Sequence, residues 1–516
     1  MILDLIVFIL VLGIVILIHE FGHFYFARKA DILCHEFSIG MGPAIYQKRK
    51  GKTVYSIRAI PLGGYVAMAG EELGDVISKD QIIGLKLNDN NEVTNIILDN
   101  NIQHDFVGRV LDFDLYGENN SPLYIKIMQD GEVKKYFVKK DAIYHFKKNQ
   151  IMYVTPAEES FETKTKWQRF KVIFAGPMMN FILAFVLLFF IGFFIKKPIN
   201  NNYIGDVSPH ISEHIKPGDQ ISFVNDVEVM TWDDISREIK NNKSDKIFLT
   251  INGEQKQFNV LVVLQGLGIG NNINTDEEGI VIGIVGEDKK DLININDKII
   301  GIKISDEKLN KNEVVYEKVN NWNELINYVS TNSNQKYVYL EVIDHKTSST
   351  KNVSFNNLKE KYISKLGVNY IEYQVGISPK TNFNLGYSLL YPFKKFGGDV
   401  KQMFVTIGLL INPKSGIGIK QLSGPVGMFS FVSKARTSGV LNLIAMMAFI
   451  SINVGILNLL PIPALDGGRL TFILIEAITN KKVPKKVENK LIYITYILLL
   501  IVFLLVTTQD ILRLIP

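Results

Sequence analysis

Cysteine is nearly missing from this chain. Cys34 is the single one in 516 residues, so no disulfide can form within it. Its neighbour His35 completes a Cys-His pair, which without further ligands reads as structure. Histidine is scarce too, at eight. There is no large excess of charge: 57 Lys and Arg stand against 52 Asp and Glu. The basic residues form no stripe of the kind that binds nucleic acid, and no nucleic-acid partner is expected. "QGLGIG" at 265–270 lacks the strand-loop-helix setting and downstream acid of a dinucleotide site. The N-terminus lacks a basic leader and an A-x-A-like cleavage site and carries Asp4, so its apolar run is expected to be a retained span.

What the chain does have is long apolar runs. "MILDLIVFILVLGIVILI", "FILAFVLLFFIGFFI" and "KLIYITYILLLIVFLLV" reach or approach the length that crosses a bilayer, and "LNLIAMMAFISINVGILNLLPIP" is a less pure fourth. Lys/Arg clusters border them: Arg28 and Lys29, "YQKRKGK", "KTKWQRFK" and "NKKVPKKVENK". Such clusters mark cytoplasmic ends. The expected architecture is a polytopic α-helical membrane protein of about four transmembrane helices, both termini extracytoplasmic.

The stretches between spans differ in character. Residues 1–72 hold the first span and "SIRAIPLGGYVAMAGEE", an alternating run around Gly-Gly that suggests a β-hairpin too apolar for an aqueous loop. Residues 73–165 read as a β-leaning cytoplasmic insertion, with "DGE" as a hairpin turn, and carry no evident chemistry. The second span occupies 166–197. An internal repeat follows outside the membrane. "IGDV" with "KPGDQISFVNDVEVMTWDDISREIKNN" returns loosely as "IGIV" with "ININDKIIGIKI" and "NNWNELINYVSTN". Each copy runs strand, turn, strand, Trp-led helix, and resembles a PDZ module, giving two PDZ-like α+β modules at 198–270 and 271–380. Residues 381–438 are amphipathic, and Lys394, Lys395, Asp399 and Lys401 suit a helix lying at the membrane surface. Residues 439–516 hold the third and fourth spans.

The chemistry lies in "HEFGH". His19 and His23 are four residues apart, which on a helix puts both imidazoles on one face, able to share one Zn²⁺, with Glu20 beside them to hold a water or take its proton. Ionisable groups inside a span are functional candidates because isolated charge is so unfavourable there. A catalytic zinc takes three protein ligands and leaves one position for water. "NLLPIPALDGGRL", 458–470, offers the third: Pro461 and Pro463 break the helix and present Asp466 at its end. His35-Glu36 mimics the motif start, but position 39 is Ile. His104, His145, His210, His214 and His345 are expected to be exposed loop residues.

On "HEFGH", "PLGGYV", "FAGPMMN", "LSGPVGM" and "NLLPIPALDGG", the chain resembles the site-2 proteases, intramembrane zinc metalloproteases, and within them the bacterial regulator-of-sigma-E branch. The resemblance implies zinc held by His19, His23 and Asp466, with Glu20 as catalytic base. It implies that Asn458 contacts the substrate backbone and Pro461 shapes that contact. The hairpin carrying Gly63, Gly64 and Tyr65 would pair its edge with an unwound substrate, a form of β-augmentation. Substrates would be single-span membrane proteins, such as anti-sigma factors or signal-peptide remnants, sometimes after a first cut by another protease. The site would lie near the cytoplasmic side of a bacterial plasma membrane, and the PDZ-like pair would bind ligands or filter substrates by size. Two other classes compete. An inactive scaffold working through the PDZ-like modules is disfavoured by the intact His19, Glu20, His23 and Asp466. A zinc transporter would need ligands on several spans.

Overall fold

The computed structural model describes residues 2–70, 76–99, 101–118, 121–129, 131–147, 150–273, 279–310, 313–415, 417–418 and 422–512. Among them the helices, in chain order, are α1 (Ile2–Lys29), α2 (Lys166–Gly192), α3 (Trp232–Lys240), α4 (Trp322–Thr331), α5 (Glu360–Ile363), α6 (Leu385–Ile411), α7 (Pro425–Thr437), α8 (Val440–Asn458), α9 (Asp466–Thr479) and α10 (Lys485–Leu512). Of these, α1, α2, α8 and α10 are long and apolar enough to cross a membrane. The chain divides into two compact units, Met1–Leu187 with Phe429–Leu500, and Leu188–Met428 with Ile501–Pro516.

In the first unit, α1 explains itself by its periodicity. Asp4, Phe8, Val11, Val15, His19, Gly22, His23 and Ala27 are buried, a three-and-four spacing that is one face of a helix. The two histidines therefore continue a stripe that is apolar above them. Leu3, Ile6, Leu10, Ile14 and Phe21 lie exposed on other faces, as lipid contact requires. Arg28 and Lys29 close the helix, where cations complement the helix dipole. At its other end Asp4 accepts from Arg436 Nε at 2.7 Å and Ser433 Oγ at 3.1 Å.

Two long strands follow, β1 (Cys34–Lys50) and β2 (Thr53–Met68). They are more than a hairpin, because each is bent and pairs twice. Lys50 to Ala44 lie opposite Thr53 to Arg58, while Cys34 to Met41 lie opposite Met68 to Ile60. Residues 36–39 also face 54–57. The stretch Ile60–Met68 is thus an edge, with no third strand on it among the described residues.

Strands β3 (Ile82–Leu87), β4 (Val93–Ile97), β5 (Phe106–Asp114), β6 (Tyr124–Gln129), β7 (Glu132–Lys147) and β8 (Gln150–Tyr153) form one sheet in the order β4-β3-β5-β6-β7-β8. A further, parallel pairing joins β4, at one end of that path, to β7, next to its other end. The enclosed core is aliphatic, with Ile83, Leu85, Ile96, Val110, Ile125 and Ile127 all but inaccessible. Asp130 of the expected turn lies outside the described residues. His145 departs from expectation: it sits in β7, partly buried, 2.6 Å from the Asn95 amide, because the β4–β7 pairing brings those residues together.

The second unit contains the repeat. α3 and α4 each begin on the tryptophan and are capped alike, Thr231 accepting from the Asp234 amide and Asn321 from that of Glu324. Each packs on its own core, Ile235 among Ile221, Val224 and Leu249, and Trp322 and Leu325 among Ile302, Leu340 and Val342. The chain then returns, pairing Ile377–Pro379 with Ile204–Val207 and Ile371–Gln374 with Leu261–Leu264. α6 pairs its buried Asp399 with Lys395 at 2.6 Å and exposes Leu389, Leu390, Phe393 and Phe404. At the start of α7, Asp510 Oδ2 accepts from the Gly424 and Gly427 amides, both at 2.8 Å. That gives "LSGPVGM" a structural reason: its glycines let a carboxylate reach a helix N-terminus.

Candidate active site

Three side chains from two distant stretches converge in the first unit. His19 Nε2 and His23 Nε2 are 3.2 Å apart. Asp466 Oδ2 lies 3.1 Å from the former and 3.4 Å from the latter. Both histidines are buried and Asp466 nearly so. Apart from these two ring nitrogens Asp466 Oδ2 has no polar partner among the described residues, and a buried carboxylate oxygen facing imidazole lone pairs is costly unless a cation completes the group. His23 Nδ1 sits 2.8 Å from the Val172 carbonyl, which can only accept, so the proton is on Nδ1 and the Nε2 lone pair faces the cluster. This donor set, two imidazole nitrogens and one carboxylate oxygen, fits a zinc site with an open position.

The local backbone explains how Asp466 arrives. α8 ends at Asn458, and Leu460, Ile462 and Leu465 make tight turns before α9 starts on Asp466. A Cβ on Gly467 would fall 2.2 Å from the Leu460 carbonyl oxygen, and one on Gly468 2.4 Å from that of Ile462. Only glycine lets α9 begin this close to the break. Farther along α9, Glu476 pairs with Arg169 of α2 at 2.6 Å, with both side chains about nine-tenths buried.

α2 forms the back of the cluster; the sequence pointed to its run "FAGPMMN" but gave Gly176 and Asn180 no role there. A Cβ on Gly176 would lie 2.2 Å from His23 Nε2, and one on Gly22 2.4 Å from the Ala175 carbonyl oxygen. Two glycines thus set the approach of α1 to α2. Asn180 is fully buried, its amide nitrogen 3.1 Å from His19 Nδ1 and its Oδ1 without a partner. Ser451 of α8 donates to the Asn180 carbonyl at 2.8 Å. The available signal was the spacing of Val172, Gly176 and Asn180, four residues apart on one face of an otherwise apolar helix.

The remaining predicted residues lie on α1, on β2 and at the break between α8 and α9. Glu20 is half-buried, and Gly64 of β2 passes it so closely that a Cβ there would lie 3.3 Å from Glu20 Cγ and 2.7 Å from the Ser38 carbonyl oxygen. Gly63 takes φ +90° beside Met41, a conformation open mainly to glycine. Tyr65 does not face the cluster through its hydroxyl. It donates to Glu36 at 2.6 Å, as do Arg58 at 2.7 and 2.9 Å and Ser56. Burial raises the Glu36 pKa, but these three donors outweigh it and hold the carboxyl below its ordinary value. Burial, then the hydrogen bond to Glu36 and that carboxylate's charge, push the Tyr65 phenol well above its usual range. Asn458 closes α8, and Pro461 lies exposed on the break leading to Asp466.

Two other sites resolve as structure. Cys34 is buried with its thiol toward the Ile32 carbonyl, and His35 faces Thr155 at 3.0 Å. Asp297, Asp344 and His345 also cluster, yet Lys351 Nζ sits 2.8 and 2.9 Å from the two carboxylates, supplying the positive charge itself. His345 is exposed, as expected, but bound to Asp297 at 3.2 Å.

Apolar helices around a buried set of two histidines and a carboxylate define a membrane protein with a metal-hydrolase type of site. The chain belongs to peptidase family M50, the site-2 proteases, whose family model matches residues 7–502, and it is an intramembrane zinc metalloprotease. Its full-length relatives agree. A candidate zinc metalloprotease of Staphylococcus aureus (strain MRSA252) is 29% identical over 525 residues, covering 99% of this chain and 98% of that one. The zinc metalloprotease RasP of Shouchella clausii is 28% identical, covering 99% of each chain. The regulator of sigma-W protease RasP of Bacillus subtilis is 28% identical, covering 99% of this chain and 98% of its own.

Proposed function

We propose that His19, His23 and Asp466 hold the zinc, that Glu20 is the general base, and that the chain hydrolyses peptide bonds within the membrane segments of single-span proteins. The observation that carries this is the approach of three ligand atoms to within 4.8 Å of one another, with Glu20 next to His19 on the same helix. Zinc, when bound, lowers the pKa of a water and polarises the scissile carbonyl. Glu20 takes the proton of the attacking water and returns it to the leaving amine.

A helical substrate hides its carbonyls in its own hydrogen bonds, so it must be extended before it is cut. The unpaired edge Ile60–Met68, running past Glu20 at Gly64, suits that task by adding the substrate as a strand. Asn458 and Pro461 hold the extended chain from the α8–α9 break, and Tyr65 acts by locking the edge onto Glu36. A polar cavity of about 360 Å³, lined by Arg169, Arg469, Glu476 and Glu488, supplies water from the cytoplasmic side; Arg469 lies one helical turn beyond Asp466.

Anti-sigma factors and signal-peptide remnants are the substrate classes we favour, after a first cut by another protease where the outer domain is large. The repeats around α3 and α4 serve as PDZ-like extracytoplasmic modules, α6 lies on the membrane surface, β3–β8 form a cytoplasmic module, and both termini are outside.

The test is cleavage and metal content measured together. Purified full-length chain in detergent is assayed on a tagged single-span substrate beside Glu20→Gln. Cleavage by the parent, none by the variant, and equal zinc in both is the expected result. A parent chain that holds no zinc in chelator-free buffer overturns the ligand set. Zinc with no cleavage of any substrate favours the scaffold.

A further inference from the structure

α2 addresses both imidazoles from behind, and it does so by two different means. The Val172 carbonyl fixes the proton of His23 on Nδ1. Two helical turns later the Asn180 side chain meets Nδ1 of His19 at 3.1 Å. As placed, the amide presents its nitrogen there and leaves Oδ1 unpartnered. An amide nitrogen can only donate, which would force the His19 proton onto Nε2, the atom 3.1 Å from Asp466 Oδ2. A protonated Nε2 has no lone pair for a metal. The oxygen and nitrogen of an amide have nearly the same shape, and their assignment follows from the bonding network. Turned over, Asn180 accepts from His19 Nδ1–H, and Nε2 is left free, as at His23.

We propose that Asn180 is the positioning residue for His19: its amide oxygen accepts the Nδ1 proton, selects the metal-binding tautomer and holds the ring toward Asp466. This rests on the ligand set proposed above. It extends to His19 what a backbone carbonyl does for His23, and it matches the general need of a ligating histidine for an acceptor on its other nitrogen. The placement is rigid. Asn180 is wholly buried, and the Ser451 hydroxyl donates to its backbone carbonyl at 2.8 Å, so α8 pins α2 at the level of His19. Gly176, one turn earlier, lets the rings approach.

The experiment is zinc competition against a chelator of known affinity, on full-length chain in detergent, for the parent, Asn180→Leu and Asn180→Asp. Melting temperatures of the zinc-free forms are recorded beside it. Asn180→Leu removes the acceptor, and its zinc affinity is expected to fall about 10- to 100-fold with the zinc-free melting temperature little changed. Asn180→Asp keeps an acceptor and removes the donor, and is expected to hold zinc within about threefold of the parent or more tightly. Asn180→Leu binding zinc like the parent overturns the proposal, since Asn180 then only fills space. Asn180→Asp weakened tenfold or more also overturns it, because the amide would then be a donor; this comparison decides alone if the leucine variant does not fold. A parent that binds no zinc refutes the ligand set instead, so the two failures are distinguishable.

Discussion

Gly176 of α2 and His23 of α1 touch so closely that a methyl group on the glycine would sit 2.2 Å from Nε2 of the histidine. The helices can therefore bring Val172, Gly176 and Asn180 onto the two imidazoles only if position 176 has no side chain. Gly176→Ala must push the ring away or separate the helices. Misplacing a reacting group by about 1 Å can cost about 100-fold in rate, so substrate cleavage should fall by at least about that factor and zinc content should drop. Gly13→Ala, in α1 where a Cβ would meet nothing within 4 Å, is the control and should cleave normally.

Gly64 tests the substrate edge apart from the metal. A larger residue there meets the Ser38 carbonyl oxygen and Glu20. Gly64→Val should lower kcat/KM by about tenfold or more, equivalent to about 1.4 kcal/mol or more, while zinc per chain is unchanged. Loss of zinc in this variant would place the defect in the cluster itself.

The Arg169–Glu476 pair, with Glu476 some 15 Å along α9 from Asp466 at 1.5 Å per residue, should behave as a buried ion pair. Glu476→Gln leaves the Arg169 charge buried without its counter-charge, which costs about 3–5 kcal/mol, and the melting temperature should fall accordingly. Arg169→Met combined with Glu476→Leu should recover most of that loss. If the double variant is as unstable as the single one, shape and not charge is what the pair supplies.

His35 gives the fold an acid limit. Burial first, and then the positive charges of Arg49 and Lys52, push its pKa down to about 4 from 6.5. Between those values the unfolded chain binds the proton and the folded chain does not, so stability falls as pH falls from about 6.5 toward about 4. The slope from this residue is at most about 1.4 kcal/mol per pH unit. His35→Gln should flatten the melting temperature against pH in that window and leave other regions unchanged. An unaltered slope would assign the acid sensitivity to other groups.

The sequence was most readable where function depends on local spacing. His19 and His23 could be paired because four residues nearly match a helical turn, and Asp466 stood out because prolines and glycines broke a span beside it. The spans followed from length and apolarity alone. What could not be read depends on folding over distance. Gly176 and Asn180 stood in the recognisable run "FAGPMMN", but what they do is not legible until α1 lies against them. Glu36 looked like a failed motif, and its three donors are assembled only by the bent pairing of β1 with β2. The return of residues 371–379 to strands 204–207 and 261–264 is a topological fact with no local signature.

His23 and Asp466 are far apart in sequence, with the strands β1–β8 and the repeat around α3 and α4 between them. A ribosome inserts α1 long before α9 exists. Until α9 is made, then, the growing chain carries His19, Glu20 and His23 without the carboxylate that faces the two imidazoles in the folded protein. On the proposed ligand set, the arrival of α9 is in effect the arming step. A chain that stops before Asp466 lacks one of the three proposed ligands and is expected to be unable to hydrolyse a peptide bond.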